Sequence, residues 1–177
     1  MDDTDKINTS TQYVDDQDIS TQTTNNMPED SLTYEMEVEL GILCNRLLHG
    51  SYWFLILDLM FTTKLELRGL ARSAKQREVA CRESASSIMS LLMEKGASVK
   101  MADITKPDYG SQEDFTAEYA VTTMVTLDTW LEQGAREGLE KVVGTELIGL
   151  EGLLRTVLDK HREFRWETQA MKNKVFM

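Results

Sequence analysis

The side chains suited to metal binding or nucleophilic chemistry are few: His49, His161, Cys44 and Cys81. The two cysteines form no CxxC pair, which argues against a zinc site and against a disulfide framework and fits a reducing compartment. The histidines fall on different predicted helices, so each reads as a surface or hydrogen-bonded residue rather than a ligand. Cys81 lies between Arg77 and Arg82, where a thiolate would find positive charge, yet a small core side chain is the simpler reading. The chain contains no glycine-rich phosphate loop, no GxSxG and no HExxH. The expectation is a protein that is not itself an enzyme.

The elements that must carry these residues have helical spacing. Met36, Leu40, Leu43, Leu47, Gly50, Phe54, Leu57 and Phe61 recur at steps of four and three, one stripe of a long first helix. Ser31 is expected to cap it, Tyr34 to open its turns and Thr62-Thr63 to permit the turn that follows. Around Trp53–Leu57 the helix is apolar on more than one face, so it lies deep in a bundle or meets another subunit. Ala74, Glu78, Cys81, Ala85, Ile88 and Leu92 give a second stripe, within a helix predicted over 65–95 and closed by Gly96. A long polar connection holding Pro107 follows. The third helix is predicted from Gln112 or Glu113 to about Gly134, with Phe115, Tyr119, Met124, Leu127 and Leu131 inward. Gly134 to Gly138 reads as a tight turn between helices. The fourth helix is then predicted over 139–172, with Val142, Val143, Leu147, Leu150, Leu154, Val157 and Leu158 on its apolar face. Gly144, Gly149 and Gly152 would weaken it or mark close backbone packing.

A chain of 177 residues with 41% hydrophobic content and two prolines suits one helical domain. Residues 1–30 hold eight acids against one lysine, among Ser, Thr, Asn and Gln, and are predicted to be a disordered acidic tail ahead of a bundle over 31–177. The acidic, polar start has no signal-peptide pattern. The longest apolar run, Tyr52–Phe61, is about half a membrane span and contains Asp58. The net charge of −11 and the lack of a basic stripe give nucleic acid no attraction. A cytoplasmic location, away from membranes, is expected.

Four helices with one long crossover between the second and third form an all-α, ferritin-like arrangement. The chain resembles the ferritin family in Asn45-Arg46-Leu47-Leu48-His49-Gly50-Ser51-Tyr52, in Arg82-Glu83-Ser84-Ala85 with Met89, and in the crossover Lys95-Gly96 through Asp103-Ile104-Thr105-Lys106-Pro107-Asp108. Glu118, Ala120 and His161 add to the match, which covers about residues 34–170. The resemblance implies a subunit for intracellular iron storage, assembled with other ferritin subunits, with iron as the stored ion.

It also implies where an iron-oxidising centre would stand, and there the side chains differ. Leu47 replaces a glutamate, Phe54 a tyrosine, Cys81 and Ser84 a Glu-x-x-His pair, and Met124 a further glutamate. Those five are not expected to bind metal, because a di-iron centre needs carboxylates and imidazole. Glu151 on the fourth helix and Glu83 on the second are the remaining metal candidates. The light-chain mineral-nucleating positions read Arg72, Lys75, Gln76 and Val79, with Glu83 beside them, a face that would repel iron. The resemblance places a seven-residue shortening between Met124 and Glu151, puts Lys141 and Gly144 at the channel positions, and leaves no fifth helix before Met177. Altered cage contacts are the expectation. A catalytically inactive bundle serving as an interaction or structural protein is the alternative.

Overall fold

A computed structural model describes residues 32–100, 102–104 and 115–175. The acidic stretch 1–30, Ser31, Pro107 and the expected helix start at Gln112 or Glu113 lie outside them. The described residues form four helices and no strand: α1 (Tyr34–Thr63), α2 (Arg68–Glu94), α3 (Ala117–Val142) and α4 (Ile148–Val175). They pack as a bundle in which α1 lies against α2 and α3, while α4 lies against α3 and, more sparsely, α2.

The helix ends follow from local chemistry. Thr33 caps α1, its side chain accepting from the Met36 amide at 3.3 Å. Glu35 and Glu37 occupy the positive end of the helix dipole. Thr116 caps α3 in the same way, accepting from the Tyr119 amide at 3.1 Å. Gly96 ends α2 with φ +78, and the amides of Gly96 and Ala97 return to the carbonyls of Met93 and Leu92.

The first two helices carry the stripes expected of them. Leu40, Leu43, Leu47, Phe54, Leu57 and Phe61 are buried, as are Ala74, Cys81, Ala85, Ile88 and Leu92. Each large aliphatic side chain buried this way contributes roughly 1.5–3 kcal/mol. By length and composition α1 is apolar enough to cross a bilayer, although the run Tyr52–Phe61 alone is too short. Its inner stripe forms part of the bundle core.

The second hairpin differs from expectation. Gly134 to Gly138 is not a turn, because α3 continues through both to Val142. These glycines lie one helical turn apart and face α1. A Cβ on Gly134 would meet the Arg46 side chain at 3.0 Å, and one on Gly138 would meet Leu43 at 3.3 Å. They are contact points, and numbering that rises along α1 as it falls along α3 makes this pair antiparallel. The turn comes later, where Gly144 adopts φ +82. Val142 therefore ends α3, and Leu147 is a buried turn residue. Val143 and Tyr119, expected inside, are 49% and 39% exposed. Gly149 and Gly152 meet only open space, so close packing does not account for them.

Candidate functional site

The positions where the resemblance puts iron ligands lie in the interior. Leu47, Phe54, Cys81 and Met124 are fully buried, and Ser84 is nearly so. The first four belong to one hydrophobic core. Burial and the nearby Asp128 carboxylate raise the Cys81 thiol far above its ordinary value, against the pull of Arg77, so it stays protonated and unreactive at neutral pH. Cys44 is likewise pushed up to about 12 by burial. Its Sγ lies 4.0 Å from the Ala85 carbonyl as a weak donor.

The two expected metal candidates are not brought together. Because α4 starts at Ile148 rather than Leu139, Glu151 stands in its first turn, near the end of the bundle. There its Oε1 accepts from Arg155 at 2.7 and 2.9 Å. Glu83 is exposed on α2 and lines a groove opposite Lys160, Glu163 and Glu167 of α4. Glu151 lies nine residues from Lys160, about 13 Å along the helix. Among the described residues, no three His, Cys, Asp or Glu side chains converge as a metal site would require.

The face read as basic has a mixed character. Arg72, Lys75, Gln76 and Val79 line the same groove, whose volume is about 650 Å³. Lys75 pairs with Glu78 at 2.8 Å, and Arg82 reaches the same carboxylate at 3.4 Å. Carboxylates from α4 face this set across the groove, so the positive charge is largely answered there. Lys141, where the resemblance would put a channel residue, lies in the last turn of α3 with its ammonium 3.6 Å from Glu35.

A polar cluster inside the bundle was not anticipated. Arg77 of α2 is fully buried, and its Nε donates to Asp128 of α3 at 3.1 Å. Nη2 donates to the Phe164 carbonyl at 2.6 Å and to Thr168 Oγ1 at 2.7 Å, both on α4. Nη1 donates to Ser73. Thr168 itself donates to Asp128 at 3.0 Å. The guanidinium carbon lies 4.4 Å from the Phe164 ring centre, a cation–π contact. One side chain thus ties three helices. Burial lifts the Asp128 carboxyl to about 6 despite the opposing pull of Arg77 and Thr168.

His161 corrects a second expectation. It is fully buried, and among the described residues neither ring nitrogen has a hydrogen-bond partner. Burial, reinforced by the charges of Arg77 and Lys160, lowers it to about 4 and leaves it neutral at physiological pH. His49 is half-buried and accepts from Trp53 Nε1 at 3.1 Å. The sequence did hold a signal for the buried ions. Arg77 is four residues from Cys81 and Asp128 four from Met124, so both fall on inward stripes.

No family model matches the chain, and no curated protein matches it.

Proposed function

We propose that the chain is a ferritin-like subunit that contributes to iron storage in the cytoplasm without oxidising iron itself. The observation that carries this reading is the path of the chain after α2. Asn45 of α1 donates to the Lys100 carbonyl at 3.3 Å and accepts from the Ala102 amide at 2.9 Å. Lys100 and Ala102 thereby lie against α1, the start that a long crossover would make. With α1 antiparallel to α3, and α1 joined to α2 by a short turn, such a crossover makes α2 and α3 parallel. Asn45 also opens the segment on which the resemblance rests.

The interior supports the second half of the proposal. A ferroxidase centre requires hard oxygen ligands and imidazole. Hydrocarbon, thioether, protonated thiol and hydroxyl occupy the matched positions instead. Iron is then cargo held by the assembly, and oxidation falls to partner ferritin subunits. Glu83 is accessible to such cargo, whereas Glu151 is engaged by Arg155.

A specific observation favours a non-iron alternative, an inactive bundle acting through its surface. The α2–α4 groove mixes Arg72, Lys75 and Lys160 with Asp58, Glu83, Glu163 and Glu167 instead of presenting the uniform acidic field that gathers cations.

Native mass spectrometry of the protein alone and mixed with heavy-chain ferritin, before and after ferrous iron, separates the two. The proposed subunit enters a large mixed shell that retains iron. A monomer or dimer that never enters a shell sinks that reading. The protein alone is expected to oxidise ferrous iron no faster than buffer, and saturable oxidase activity would overturn the roles given to Leu47, Cys81, Ser84 and Met124.

A further inference from the structure

The two sides of α4 carry different charge. Towards α2 the helix presents Glu163 and Glu167 together with Lys160. Towards α3 it borders a cleft of about 430 Å³ whose lining, among the described residues, holds one cation, Arg165, and no acid. Arg165 is held from behind. Its Nε lies 2.8 Å from Oε2 of the buried Glu132, an ionic contact out of line for a hydrogen bond. The same carboxylate takes Arg136 at 2.9 Å and Arg162 at 3.6 Å. Arg162 has a second acid in Asp159, but among the described residues Arg165 has no other carboxylate within ion-pair distance. Glu132 and Asp159 are two acids against three guanidiniums, and of the three Arg165 is the one that lines the cleft.

The rest of the lining suits a polypeptide. Trp166 is 75% exposed at the rim, a large aromatic surface without cover. Gln169 Nε2 donates to Asn173 Oδ1 at 3.1 Å. That bond leaves the Gln169 carbonyl as an acceptor and the Asn173 amide as a donor, the complement of a peptide group. Val125 and Ala170 add apolar lining.

We propose that this α3–α4 cleft binds an acidic peptide segment of a partner protein. A carboxylate of the segment meets Arg165, its backbone amide meets Gln169 and Asn173, and an aliphatic side chain packs on Trp166. Charge complementarity selects the acidic partner. Inorganic phosphate would use Arg165 but would gain nothing from the amide pair or the indole.

The test is calorimetric and fluorescence titration of the intact protein with the capped peptide Glu-Leu-Asp-Leu-Glu and its amide counterpart Gln-Leu-Asn-Leu-Gln. The acidic peptide is expected to saturate and to alter tryptophan emission in wild type but not in Trp166→Phe. The amide peptide, and the acidic peptide on Arg165→Gln, should bind roughly 10-fold more weakly, the loss of one charge-assisted contact. Asn173→Ala, at an exposed position, should weaken binding several-fold and decides the matter if Arg165→Gln does not fold. No saturable binding, equal binding of the two peptides, or unchanged affinity in Arg165→Gln and Asn173→Ala would each overturn the proposal. So would inorganic phosphate binding as tightly as the acidic peptide.

Discussion

The interior of this bundle contains two kinds of layer built on the same helical spacing. At Leu47, Phe54, Cys81 and Met124 it is apolar, while around Arg77, Asp128 and Thr168 it is an ion pair with hydrogen bonds to three helices. The apolar layer is stabilised by removing hydrocarbon from water. The polar layer bears a desolvation cost that direct contacts offset, and its geometry admits fewer partners. Either layer fits an inward stripe, so periodicity alone tells which residues face inward but not what they do there.

Breaking one half of the ion pair is expected to give the largest effect. Asp128→Leu removes the buried partner of Arg77, leaving only the half-exposed Glu167 carboxylate 3.6 Å away, and should cost about 3 kcal/mol, read from urea unfolding. The double variant Arg77→Met with Asp128→Leu should recover most of that loss. If the double variant is as unstable as the single one, Arg77 and Asp128 do not act as a pair.

Acid should sharpen the contrast next. The pKa of His161 is depressed in the folded state, so its contribution is present above the ordinary value of 6.5 and lost as pH falls towards about 4. Wild type should therefore lose roughly 3 kcal/mol relative to His161→Leu over that interval. Asp128 acts in the opposite sense, because its pKa is raised. Its contribution is present below 3.8 and lost as pH rises through about 6. Unfolding midpoints of the two proteins from pH 4 to 7 measure the difference. A constant gap would show that His161 is charged or hydrated in the folded protein.

The smallest effect concerns glycines. Gly149→Ala and Gly152→Ala meet open space on α4 and should each stabilise by about 0.5–1 kcal/mol. Gly138→Ala, on the α1–α3 contact, should destabilise instead. Thermal melts of the three variants settle the order.

The α1 and α2 stripes could be read from the sequence because each is marked by large apolar residues at an unbroken spacing. The α3–α4 boundary could not, because glycine serves two purposes. Gly134 and Gly138 mark helix contact and Gly144 marks the turn, a distinction that depends on the neighbouring helix. Misplacing that boundary moved Glu151 from the first turn of α4 to a position deep within it. The apolar character of Leu47, Phe54 and Met124 was plain from residue type, whereas residue type alone does not mark Arg77 and Asp128 as buried, since charges rarely are unless paired. Only the partner on another helix explains their burial.

Cys44 and Cys81 provide a way to watch the molecule open. They lie on adjacent helices, both are buried, and both thiols are held protonated. A thiol-labelling reagent in solution can reach them only when the core packing around them opens. Labelling rates under native conditions therefore report the free energy of that opening directly. Equal rates at the two positions would mark the first hairpin as one cooperative unit, and a faster rate at either would locate where it frays.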